Sequence, residues 1–120
     1  MTTREIADRL VTLCRAGKFT EAIKELYALD VRQSENGGPA PAAGRDGLAK
    51  ACQGWLDSRV LHGTEILGSH VGPDSFVVEM QYDITPHATK ERIQWSEAGV
   101  YHVQDGKIAD VRFYYKPPPA

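Results

Sequence analysis

The stretch Arg92-Ile93-Gln94-Trp95-Ser96-Glu97-Ala98-Gly99-Val100-Tyr101-His102-Val103-Gln104-Asp105-Gly106-Lys107-Ile108-Ala109-Asp110-Val111-Arg112-Phe113-Tyr114-Tyr115 reads as two long strands joined by a sharp turn at 104–107. Ile93, Trp95, Tyr101 and Val103 share one parity, so the pleat puts them on a single face of a sheet. Glu97 falls on that same stripe. A carboxylate on a core-facing stripe demands an explanation, because an unpartnered buried charge is costly. Beyond the turn, the second strand ends in Phe113-Tyr114-Tyr115, so one curved sheet presents aromatics and an acid to whatever packs on it. That composition suits a small-molecule pocket.

Working outward, residues 75–85 form a strand with the inward stripe Phe76, Val78, Met80, Tyr82 and Ile84, and residues 60–71 form another before it. The segments 72–74 and 86–91 separate these strands. Upstream the period changes. Ile6, Leu10, Leu13 and Cys14 recur at helical spacing after the cap candidate Thr3, and Gly17 marks an end, which predicts a first helix over about 3–16. Phe19, Ile23, Leu26 and Tyr27 repeat the pattern in a second helix that stops near Asp30. Residues 31–35 make a short strand, and 36–44 are too rich in glycine and proline for regular structure, so a mobile loop is expected. Leu48, Cys52, Trp55 and Leu56 define one face of a third helix over 45–58, with Asp46 favourably placed at its start. The order is ααβαββββ in a single domain over 1–115, followed by an extended, proline-rich tail at 116–120 that cannot pair in a sheet interior.

Bulk properties exclude several classes. A chain of 120 residues is one domain that buries roughly two-thirds of its unfolded surface. Lysine plus arginine number 14 against 16 acids, with no long block of either sign, so the footprint for nucleic acid or an anionic membrane is missing. Cys14 and Cys52 have neither metal-site nor disulfide spacing, which fits a reducing compartment. The opening Met1-Thr2-Thr3-Arg4-Glu5 turns charged and amphipathic at once, and no apolar run approaches ~18 residues; the expectation is a soluble cytoplasmic protein without a signal peptide. No cofactor is expected. Gly37-Gly38 leads into prolines and alanines, not a lysine-serine pair opening a helix; no serine sits in a nucleophile elbow; and no trio of histidines and acids has metal-ligand spacing.

The element order, the strand ending in Ser34-Glu35, the helix start Gly44-Arg45-Asp46-Gly47, and the run Glu97…Val100-Tyr101…Val103…Asp105-Gly106-Lys107-Ile108…Phe113-Tyr114 together resemble the SnoaL-like branch of the nuclear-transport-factor-2-like superfamily. The likeness covers almost the whole chain. It implies an α+β cone of the cystatin-like barrel type: three helices packed on a strongly curved antiparallel sheet, one open pocket between them, and a homodimer paired through the sheets. Similar cones are polyketide cyclases, ketosteroid isomerases, epoxide hydrolases, dehydratases or binding modules, so the pocket residues must decide the chemistry. Laid on this chain, the ketosteroid isomerase pattern puts its general-base aspartate on Glu35, its oxyanion tyrosine near Leu10 and its second oxyanion donor near Gly99. Neither expected donor is present, and without them such an enzyme loses its largest electrostatic contribution, so that isomerase itself is not expected.

Three residues are candidates for proton transfer. Glu35 is the first: either it faces an apolar pocket that raises its pKa toward neutrality, or it is solvated or bonded to the adjacent loop. Glu97 is the second, with a structural carboxylate bonded to a tyrosine, arginine or amide as the other reading. His62 shares parity with Val60, Thr64 and Ile66 and would shuttle a proton or orient an acid, unless it is an ordinary hydrogen-bonded core or rim residue. Trp55, Met80, Tyr82, Trp95, Tyr101, Phe113 and Tyr115 are the candidate ligand-binding wall, although the same residues serve as ordinary core in many folds. Asp83 and Arg112 fall on the opposite, convex face, where a cross-strand salt bridge or a dimer surface is the natural reading. The function expected is cofactor-independent isomerisation, cyclisation or dehydration of a small apolar or aromatic carbonyl compound. The alternative is a non-catalytic ligand-binding or dimerisation module of the same fold.

Overall fold

The computed structural model describes residues 1–39 and 44–116. Helix α1, Thr3–Arg15, begins one residue earlier in its capping than expected. Thr2 is the N-cap: its hydroxyl accepts from the Glu5 amide and the Glu5 carboxylate accepts from the Thr2 amide at 2.9 Å, a reciprocal capping box. Thr3 instead donates its hydroxyl to the Pro73 carbonyl at 2.8 Å, tying the helix to the turn at residues 72–74. Gly17, at φ 74°, ends the segment in the left-handed conformation that glycine adopts without strain.

Helix α2, Phe19–Leu26, is shorter than the periodicity predicts, and strand β1, Tyr27–Glu35, starts four residues sooner. Tyr27 lies four residues after Ile23 and fits a helical stripe, but its backbone is already extended (φ −84°, ψ 142°) and pairs with Ile108. Either conformation would bury the ring, and the available sheet edge decides between them. Helix α3, Gly44–Asp57, and strands β2, Arg59–Val71, β3, Ser75–Pro86, β4, Ile93–Gln104, and β5, Lys107–Tyr114, follow in the expected order within one residue at each end. The β4–β5 turn places Asp105 at φ 53° and Gly106 at φ 74°, the pair of left-handed residues that a two-residue hairpin needs. Residues 40–43 of the expected loop, and the tail beyond Lys116, lie outside the described residues.

The five strands form one open sheet in the order β1-β5-β4-β3-β2. β2 to β5 are an antiparallel meander, but β1 joins β5 in parallel, with Glu35 opposite Phe113, so the sheet is mixed where an antiparallel one was expected. Hairpin cues exist only from β2 onward; β1 is followed by α3, which carries the chain to the opposite edge of the sheet, and the last strand then returns beside β1 in the same direction. The stripe Phe76, Val78, Met80, Tyr82 and Ile84 is buried throughout, against Ile6, Leu10 and Leu13 of α1 and Ile23 and Leu26 of α2. No helix among the described residues is long and apolar enough to cross a membrane.

Candidate functional site

Between the concave sheet face and the helices lies a cavity of about 440 Å³. All seven residues expected to form a ligand wall, Trp55, Met80, Tyr82, Trp95, Tyr101, Phe113 and Tyr115, border it, as do Glu35 and Glu97. Sheet register explains the grouping. Tyr82 pairs with Trp95 and Met80 with Glu97, so the two strands put an aromatic pair beside the acid on one face. Tyr82 and Trp95 have ring centroids 5.0 Å apart, and Trp55 of α3 meets both edge-on, at 6.0 and 6.1 Å. Deeper in the sheet Phe76 stacks on Tyr101 at 4.8 Å and 9°.

Glu97 is the chemical centre of this surface. Its carboxylate accepts a hydrogen bond from the Tyr82 hydroxyl at 3.1 Å. Burial pushes its pKa up from 4.5 to about 7; the Tyr82 bond acts against that rise and the nearby Glu35 charge adds to it. Glu35 ends β1 at the cavity mouth, exposed, where its carboxylate accepts from the Tyr115 hydroxyl at 2.9 Å. Of the two readings of Glu35, the exposed and hydrogen-bonded one matches its position, and Glu97 is the buried acid. An acid that exchanges its proton near neutrality thus sits inside the cavity, and a solvated one stands at its entrance.

His62 does not border the cavity. The β2–β3 register slips between Leu61 and Gly63, and the extra residue inverts the parity: Leu61 packs on the core, Val60 and His62 are exposed, and Ile66 faces inward again after the bulge. The imidazole sits 2.7 Å from the Thr85 hydroxyl, at the surface. Asp83 and Arg112 are not each other's partners. Asp83 binds Arg92 through two hydrogen bonds of 2.8 and 2.7 Å, which hold its pKa down at about 2, and Arg112 bonds Asp110 at 3.1 Å.

Several cavity residues escaped the sequence reading. Tyr27 borders the cavity, concealed by its fit to the α2 stripe. Burial raises the pKa of the Tyr27 hydroxyl and of that of Tyr101, so both stay protonated. Leu10, where the resemblance would put the oxyanion tyrosine, is a buried aliphatic wall residue, and Gly99 carries no side chain. A side chain at Gly99 would begin 2.7 Å from the Tyr101 ring, so glycine is what lets that ring lie against the strand. Arg59, the first residue of β2, also borders the cavity; it stood at a predicted helix–strand boundary, and its only cue was a position four residues after Trp55. Cys14 and Cys52 line the wall as well, but burial pushes the Cys14 thiol up to about 12 and raises that of Cys52, leaving both as inert packing groups.

The sequence matches the SnoaL-like domain family over residues 1–115. Among solved structures, a protein of Mesorhizobium loti assigned as a SnoaL-like polyketide cyclase is 35% identical; the match covers 96% of this chain and 100% of that one, with a TM-score of 0.85. A Streptomyces galilaeus protein assigned as a hydroxylase (14% identity, 95% and 88% covered, TM-score 0.76) and an LEH-like epoxide hydrolase of M. tuberculosis (14% identity, 93% and 80% covered, TM-score 0.72) share the fold. None of the curated proteins matches the chain. With its family match over residues 1–115, its three helices on a curved mixed sheet, and an M. loti relative that aligns with 96% of it, the chain belongs to the SnoaL-like family.

Proposed function

We propose that the protein is a cofactor-independent isomerase, cyclase or dehydratase that moves a proton on a flat apolar or aromatic carbonyl compound. Cyclase, hydroxylase and epoxide hydrolase assignments all occur among its structural neighbours, so the fold does not select a chemistry and the site must. The observation that carries the reading is Glu97, an acid held near pKa 7 inside an aromatic cavity, beside a second carboxylate at the mouth. In this scheme the Glu35 carboxylate takes the proton from the carbon beside the carbonyl. The enolate oxygen that develops is met by the tyrosine hydroxyls of Tyr27 and Tyr101, and protonated Glu97 returns a proton at the accepting carbon. Exchange with water then resets both acids.

The test is proton exchange on 2-tetralone, a fused-ring ketone of suitable size, followed by NMR in heavy water. Accelerated exchange at the carbon beside the carbonyl is expected, with Glu97→Gln and Glu35→Gln each losing roughly 10²–10⁴ of the acceleration. Binding of the ketone without any acceleration would leave a ligand carrier as the function.

The outer face of the sheet supports a homodimer as part of the same proposal. Val77 and Val100 are paired neighbours there, and Ala98 lies opposite the exposed Tyr114. Val77→Lys is expected to yield monomers in sedimentation, because its cross-strand neighbours Val100 and His70 offer no acid and an unpaired charge in an apolar interface is strongly unfavourable. An unchanged dimer would move the interface elsewhere.

A further inference from the structure

The cavity has a second polar pole besides the one carrying Glu97 and Glu35. Arg59 lies on its wall together with Trp55, Pro86, Ile93 and Trp95. The guanidinium carbon stands 4.2 Å from the Trp55 ring centroid, a cation–π arrangement that fixes its plane. Part of its hydrogen bonding is structural: Nε donates to the Trp55 carbonyl at 2.6 Å, where α3 ends, and Nη2 donates to the Ser58 hydroxyl at 2.9 Å. Those two bonds use two of the five N–H groups of a guanidinium. None of the described carboxylates forms an ion pair with Arg59, nor with Arg4, Arg15 or Arg32, but of these four only Arg59 borders the cavity. Burial alone moves its pKa, downward, with no neighbouring acid to oppose that. A positive charge on an aromatic wall, with free donors and no counter-ion among the described residues, is a site awaiting an anion.

We propose that Arg59 binds a carboxylate group of the ligand, so that the ligand is an aromatic or alicyclic carboxylic acid. Its acid group is held at Arg59, its ring lies against Trp55, Trp95 and Tyr82, and its opposite end reaches Glu97. A single carboxylate matches the single guanidinium on the cavity wall and accepts from its free N–H groups with both oxygens. This deepens the proton-transfer reading by naming the class of substrate, and it places the reacting carbon at the end of the molecule remote from the acid group. Capping of α3 accounts for the Nε bond of Arg59 but leaves the remaining donors unused.

The experiment is calorimetric titration of the purified protein, near neutral pH, with 2-naphthoate and with 2-naphthamide, its uncharged isostere. Tighter binding of the acid by at least about tenfold is expected, since a charge-assisted pair is lost with the amide. Arg59→Gln should bring the ratio close to one, Arg59→Lys should retain part of it, and Arg112→Gln, on the outer face, should leave it unchanged. Equal affinities in the unmodified protein, or no binding of either compound at millimolar concentration, would overturn the assignment without reliance on any variant. So would an acid preference that survives Arg59→Gln. Because this measurement involves no proton transfer and tetralone exchange involves no anion, failure of one reading is distinguishable from failure of the other.

Discussion

Replacing Glu97 with glutamine should give a protein whose stability no longer declines between about pH 4.5 and pH 7. In the native protein the Glu97 carboxyl has its pKa raised from 4.5 to about 7, chiefly by burial. Between those values the folded state keeps a proton that the unfolded chain has released, so stability falls as pH rises, and the loss is complete above pH 7. The corresponding penalty is about 3 kcal/mol, a large part of the margin by which a domain of this size stays folded. Glutamine has nearly the same shape and cannot ionise, so at pH 8 the variant should be the more stable protein by up to that amount, while the two should converge near pH 4. Denaturant unfolding of both proteins across this range measures the effect. Parallel pH profiles would show that Glu97 titrates in the cavity as it does in the unfolded chain, and would remove the basis for its role as the proton donor. A gain in stability together with lost exchange activity is the combination expected of a strained functional acid.

Phe76→Ala should cost about 3–5 kcal/mol, the range found when a fully buried aromatic ring is deleted. Phe76 is 1% exposed and stacks on Tyr101, itself 2% exposed, across the β3–β4 ladder. Removing the ring forfeits its burial and opens a void directly beneath the wall that bears the Tyr101 hydroxyl. Gly99 on the same strand already has its free space occupied by the Tyr101 ring, so this aromatic cannot simply be refilled from below by a larger neighbour at that position. A midpoint shift much smaller than this in denaturant unfolding would mean that Tyr101 collapses into the void, and weaker ligand binding should then accompany the mild stability loss. Phe76 thus links the packing of the sheet to the shape of the cavity it supports.

Met80, Tyr82, Trp95 and Tyr101 were legible because strand periodicity is strict: once Glu97 is placed on the stripe of Trp95 and Tyr101, the partner stripe of Met80 and Tyr82 must face the same way, whereas Trp55 was found from helical spacing. The same strictness misled at His62, where one extra residue in β2 inverts the face and nothing in the local composition marks the bulge before it is paired. Tyr27 was concealed for a different reason, since a residue spaced four from Ile23 fits a helix stripe and a strand equally well, and only pairing with Ile108 selects the strand. Arg59 was missed because a charged residue at an element boundary is ordinarily solvated. Its significance depends on what does not pair with it.

The linear chain by itself determined the local quantities of this protein. They include helix and strand order, the β4–β5 hairpin at Asp105-Gly106, and the alternation that turns an acid and a set of aromatics toward one face, because periodicity and turn chemistry are properties of neighbouring residues. Tertiary structure decided the non-local ones. Parallel docking of β1 on β5 brings Glu35 to the rim near Glu97, packing of the helices over the sheet buries Glu97, and Arg59, with no ion pair among the described carboxylates, leaves a cation in the cavity wall. Burial and electrostatic environment are sums over residues distant in sequence, and they exist only once the chain has folded.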